Sequence, residues 1–107
     1  MDVRQARERA EAKLGEVQDP QVPLRLVDPD APVDRDWCWL FPFNSQRFLD
    51  SGEFGSMVAS GPIVVNKDGS DVWVANSGFP VEKWLNHYAA DHGYPALPLP
   101  ESKPFGS

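Results

Sequence analysis

Residues 63–74 read IVVNKDGSDVWV, and this stretch anchors the fold. Ile63, Val64 and Val65 form a β-branched run, and Val72, Trp73 and Val74 form a second. Between them lies Lys67-Asp68-Gly69-Ser70, with Asp-Gly at its centre. Two strand-forming runs around an Asp-Gly turn predict a β-hairpin over about residues 62–76.

Moving towards the N-terminus, WCWLFPF at residues 37–43 is the most apolar run. As one strand, it puts Trp37, Trp39, Phe41 and Phe43 on one face and Cys38 and Leu40 on the other. Both faces are apolar, which predicts cover on both sides or an exposed aromatic patch. Pro42 has no N–H to donate, so pairing there is one-sided or bulged. Before this run, Val22, Leu24 and Leu26 alternate with Arg25, and Pro23 suits an edge strand or a strand start. Asp28 to Asp36 is expected to be an acidic, proline-bearing loop. Its aspartates lack the spacing, turn glycine and final glutamate of a calcium hand.

Helices are predicted at both ends. Val3, Ala6, Ala10, Leu14 and Val17 recur at helical spacing over residues 2–17. Asp2 serves as N-cap with Gln5 three residues on, and Arg4–Glu8 and Arg7–Glu11 are spaced for ion pairs. Gly15 and Pro20 mark the stop. Pro80 is read as the first residue of a second helix with a stripe of Val81, Trp84, Leu85 and Tyr88. Glu82 lies in its first turn, where the helix dipole favours an anion. Gly93 and Pro95 end it. Between strand and hairpin, Arg47-Phe48-Leu49 is expected to form a short helical turn, and Phe54 sits between Gly52 and Gly55 on a loop.

The 107 residues fit one domain, and 41% apolar content is ordinary for a globular chain. The expected architecture is α+β: an N-terminal helix, about four mainly antiparallel strands and a C-terminal helix. Both helices are expected on one sheet face, leaving the other free to bind. The domain is expected to span residues 1–93, with a proline-rich, flexible tail at 94–107.

The net charge of −6 weighs against nucleic acid and against an anionic membrane surface. A partner with a basic surface is the electrostatically easy case. Cys38 is the single cysteine, so no internal disulfide and no paired-cysteine zinc site is expected, and its apolar flanks point to a packed thiol. Asp2, Arg4, Arg7, Glu8 and Arg9 are incompatible with an apolar leader, so a cytosolic protein is expected. His87 and His92 are the only histidines, and neither belongs to a recognisable triad with Cys38 or a serine. No enzymatic activity, cofactor or metal is expected. Asn44 and Ser45 are read first as turn residues whose side chains bond backbone.

Two blocks carry a resemblance. WLFPFNSQRFLDSGEF, at residues 39–54, resembles the aromatic strand of the immunity protein 35 family, which also contains the YrhB proteins. The matching residues are Trp39, Phe41, Phe43, Asn44, Ser45, Phe48, Leu49, Ser51 and Gly52. GPIVVNKDGSDVWVANSGFPVEKWL, at residues 61–85, resembles the family's second block through Gly61, Pro62, Ile63, Val64, Val65, Lys67, Gly69, Gly78, Pro80, Glu82 and Trp84. Together the blocks reach across residues 37–88. Pro42, Cys38 and the proline-rich tail depart from the family pattern.

The resemblance implies a small cytosolic antidote, encoded with a polymorphic toxin and often paired with papain-like peptidases or deamidases. It carries over no catalytic motif, and its shared residues look like fold determinants. The function it implies is stoichiometric occlusion of a cognate toxin. The alternative is a YrhB-like holdase for unfolded clients, and a small enzyme ranks last. Charge, exposure and loop placement nominate Asp30, Asp34, Asp36, Trp37, Glu53 and Phe54 as contact residues.

Overall fold

The computed structural model describes residues 1–78 and 80–99. Helix α1 spans Val3–Glu16, followed by strands β1 (Leu24–Leu26), β2 (Val33–Arg35), β3 (Cys38–Phe41) and β4 (Phe43–Ser45). Helix α2 (Gln46–Ser51) and a 3-10 turn at Phe54–Ser56 lead to β5 (Ile63–Asn66), β6 (Val72–Val74) and helix α3 (Val81–His92). The fold is α+β, with a four-stranded antiparallel sheet ordered β2-β3-β5-β6 and a two-stranded ribbon of β1 and β4.

The hairpin forms as its sequence predicts. Val64 pairs with Trp73 and Val65 with Val72. Gly69 takes the left-handed φ of 80° that its turn requires, and its N–H donates to the Asn66 carbonyl. Helix α1 opens with a reciprocal cap: Asp2 accepts from the Gln5 N–H, and Gln5 accepts from the Asp2 N–H. Pro80 is the N-cap of α3 and Val81 its first helical residue, one position later than the sequence suggested.

Pro42 divides the apolar run between two sheets. β3 ends before it and β4 begins after it, and its carbonyl accepts the Val27 N–H at 2.8 Å. The pairing is one-sided because proline offers only an acceptor.

The core has two halves on opposite faces of the four-stranded sheet. Trp39, Phe41, Ile63 and Val65 pack on one face against Ala6, Ala10 and Leu14 of α1, joined by Leu24, Leu26 and Phe43. Cys38, Leu40 and Val64 pack on the other against Leu85 and Ala89 of α3, joined by Trp37, Ala75 and Leu97. The expectation that both helices share one face is therefore corrected. β3 and β5 are buried at every position, so each face needs its own helix.

Two further corrections concern the segment before β3. The stretch read as an acidic loop contains edge strand β2, paired with β3 through Val33–Leu40 and Arg35–Cys38. A three-residue strand with two exposed positions carries no periodicity of its own; its partner strand defines it. Trp37 does not share a face with Trp39. Asp36 and Trp37 form the two-residue turn between β2 and β3, and Asp36 has the left-handed φ of 53°. A turn residue is outside strand alternation, and Trp37 joins Cys38 and Leu40 beneath α3.

The packed chain continues past Gly93. Tyr94 stacks on Trp37 with ring centroids 4.6 Å apart, and Leu97 is buried. Residues 100–107 of the proline-rich stretch lie outside the described residues.

Candidate protein-interaction surfaces

The turn joining β2 and β3 builds the first surface. In an antiparallel pair, Arg35 lies opposite Cys38 and so shares the α3 side of the sheet. There its Nε donates to Glu82 Oε1 at 3.2 Å. Glu82 is only 7% exposed, so the sequence reading of it as a helix-dipole partner covers half its role. It also ties the first turn of α3 to edge strand β2. Asp34, opposite Trp39, accepts from Lys67 Nζ at 2.6 Å, and the same ammonium lies 5.1 Å from the centre of the Trp39 ring. Asp36 is exposed at the turn.

A groove of about 510 Å³ opens beside these groups, lined by Asp34, Arg35, Asp36, Glu82, Leu97, Pro98 and Leu99. Its far wall is fixed by Asn86 on α3. Asn86 Oδ1 accepts the Leu97 N–H at 2.7 Å, and Nδ2 donates to the Leu97 carbonyl at 3.0 Å. The groove thus joins carboxylates on one side to an aliphatic strip on the other. Asp30 is not part of it; its carboxylate pairs with Arg7 of α1. That contact replaces the Arg7–Glu11 pairing anticipated along the helix. Sequence reasoning missed Arg35, Leu97 and Leu99 here, because nothing local signals that residues so far apart in the chain line one groove.

Behind this surface the end of the hairpin is locked to α3. Asn66 is fully buried and its amide donates to Ser70 Oγ at 3.2 Å and to the Tyr88 hydroxyl at 3.1 Å, while its Oδ1 accepts from Trp73 Nε1. Tyr88 donates to Asp71 and Tyr94 to Asp68. Bonds from the Ser70 hydroxyl, then the Tyr94 hydroxyl, hold the Asp68 carboxyl down at about 2. Burial pushes the Tyr88 hydroxyl up to about 12. Trp37, nominated as a contact residue, lies within this aromatic stack at 7% exposed and presents no side chain to a partner.

The second surface surrounds Phe54. Ser45 caps α2 by accepting from the Phe48 N–H at 3.0 Å and donates to the Ser56 carbonyl. Asn44 Oδ1 accepts from the Val58 N–H at 2.8 Å. These bonds fasten the loop after α2 to β4, so Asn44 and Ser45 serve the backbone. Gly52 ends α2 at a left-handed φ of 73°. Phe54 then projects outward at 82% exposed, and Glu53 beside it pairs with Arg47 at 2.9 Å. A groove of about 330 Å³ adjoins it, lined by Val22, Pro23, Ser45, Arg47, Met57 and Val58 among others. No described residue lines both grooves, so Asp34 and Asp36 stand on a different surface from the groove that follows the Phe54 turn.

Gly61, Pro62, Gly78 and Trp84, also family-type positions, make close contacts that involve backbone. A Cβ on Gly61 would stand 2.1 Å from the Ala75 carbonyl oxygen, and the Pro62 carbonyl accepts the Ala75 N–H. Trp84 Nε1 donates to the Gly78 carbonyl at 2.9 Å.

The single thiol is a poor nucleophile where it sits. Cys38 is fully buried, its thiol is pushed up to about 12 by burial, and its Sγ donates to the Arg35 carbonyl. His92 stacks on Tyr88 at 3.8 Å with Nδ1 beside the Tyr88 carbonyl, and His87 lies against Trp84. Among the described residues, no group of three or more His, Cys, Asp or Glu side chains could hold a metal ion, and no helix is long and apolar enough to cross a membrane.

A family model described as immunity protein 35 matches residues 4–87, from the first turn of α1 into α3. No curated protein and no solved structure matches the chain.

Proposed function

The chain belongs to the immunity protein 35 family, and from that premise we propose that it binds and neutralises a cognate protein toxin by stoichiometric occlusion. The toxin kind favoured by the family resemblance is a papain-like peptidase or deamidase, met in the bacterial cytosol. The docking face is the groove between the β2–β3 turn and the Leu97–Leu99 strip.

The observation that carries this reading is the pairing of carboxylates with an aliphatic wall in that groove. Asp34 and Asp36 stand on its rim and Leu99 is 58% exposed. Such a surface suits a partner that brings a basic rim and an apolar centre. With a chain charge of −6, encounter is accelerated by long-range attraction and slowed by salt. Both faces of the four-stranded sheet are covered by helices, which weighs against the broad apolar surface of a holdase.

The test is affinity capture of the tagged chain from its host, with identification and stoichiometry of what it retains. One dominant toxin-bearing partner in near-equal amount supports the reading. In the purified complex, Asp34→Asn with Asp36→Asn is expected to slow association at low salt by roughly tenfold. A complex indifferent to these substitutions defeats the assignment of the groove. A broad set of clients that grows with heat stress defeats the immunity reading itself.

A further inference from the structure

The Phe54 surface plays no part in that reading and has a geometry of its own. The ring projects from a turn that is closed by the Ser56 N–H on the Glu53 carbonyl and the Met57 N–H on the Phe54 carbonyl. It is the most exposed large apolar side chain among the described residues, and Met57 at 50% and Val22 at 37% lie in the adjoining groove wall. Two of the polar groups in that groove have partners already: Ser45 Oγ donates to the Ser56 carbonyl, and Arg47 pairs with Glu53. What the groove offers beside the apolar knob is a mixed socket, with Val22, Pro23, Met57 and Val58 as its apolar side and Gln21 and Arg47 as its polar side.

We infer that this face closes on a second copy of the chain in an isologous pair, with Phe54 of each copy seated in the groove beside Phe54 of the other. Two features of the surface select a second copy. Knob and socket lie side by side on one face, which is the arrangement that a two-fold axis makes self-complementary. The charges around them also cancel. Arg47 pairs with Glu53 at 2.9 Å and Arg25 with Asp50 at 3.0 Å, so these two ion pairs, each with one member on α2, sum to zero. A chain carrying −6 repels its own copies on an average face, and this face is spared that repulsion. The same four side chains can exchange partners across the axis and form a polar rim around the rings. Because the Phe54 turn is fixed by its own backbone bonds, little ordering cost attends docking.

The experiment is sedimentation equilibrium of the full chain across the micromolar range, run on the wild type, on Phe54→Asp and on Met57→Arg. The expected result is a concentration-dependent wild-type dimer, with the dissociation constant raised roughly tenfold or more in each variant. Both positions are exposed, so circular dichroism should show the fold of each variant intact. An equimolar mixture of the two variants is expected to regain dimer. In the mixed pair, one intact Phe54 meets one intact groove, and the introduced carboxylate faces the introduced guanidinium. A monomeric wild type overturns the proposal, as does a dimer untouched by either substitution. A monomeric wild type whose toxin binding is lost in Phe54→Asp overturns it too, and assigns the knob to the toxin instead.

Discussion

Asn86 satisfies both backbone polar groups of Leu97, accepting its N–H at 2.7 Å and donating to its carbonyl at 3.0 Å. One side chain on α3 thereby does the work of a neighbouring strand. It lays Leu97 over the Leu85–Ala89 side of the core and sets one wall of the acidic groove.

Asn86→Ala is expected to leave the Leu97 N–H and carbonyl without protein partners and to lower stability by about 1–2 kcal/mol. Urea unfolding measures this directly. Hydrogen exchange at the Leu97 amide should accelerate more than at amides of β5. Equal acceleration everywhere would mean that the clamp supports the whole fold and not the strip alone.

Gly61→Ala is expected to cost roughly 3 kcal/mol or more. The added methyl would stand 2.1 Å from the Ala75 carbonyl oxygen and 2.4 Å from that of Asn76, and backbone cannot swing aside as a side chain can. The chain must open where Pro62 pairs with Ala75, at the base of the β5–β6 hairpin. Thermal unfolding of the variant checks this, and a wild-type midpoint would refute the close approach.

Cys38 is expected to resist thiol reagents in the native state and to react once urea unfolds the chain. Burial raises its folded value from the ordinary 9.0 to about 12, so the folded state holds the proton more tightly than the unfolded state. The linked stability is fully present below pH 9 and is lost as pH rises towards about 12. Tyr88, raised from 10.0 to about 12, adds a loss of the same sign. Unfolding midpoints measured from pH 8 upward should therefore fall, and Cys38→Ala should make the fall shallower. Rapid native labelling at pH 8 would contradict the burial.

The surfaces were only partly legible. Phe54 stands out in the sequence as an apolar residue between two loop glycines, and Asp34 and Asp36 as part of an acid cluster. Trp37 misled, since seven consecutive apolar residues look like one strand and nothing in Asp36-Trp37 resembles the Asn-Gly of a two-residue turn. The tie between Arg35 and Glu82 was invisible, because their 47-residue separation leaves no local trace.

What the sequence by itself determined is local. The Asp-Gly turn with β-branched residues on either side specifies the β5–β6 hairpin, the Asp2–Gln5 cap starts α1, and Pro80 followed by Glu82 starts α3. Each follows from backbone sterics or a hydrogen bond spanning a few residues. Only the tertiary structure decided which face each helix covers, that Val33–Arg35 is a strand, and that residues 34–36, 82 and 97–99 share a groove. A strand buried on both faces calls for two layers of cover, but its sequence does not say which helix supplies which. That choice belongs to packing between distant segments: Ala6, Ala10 and Leu14 fit against Trp39 and Val65 on one side, and Leu85 and Ala89 against Cys38 and Val64 on the other.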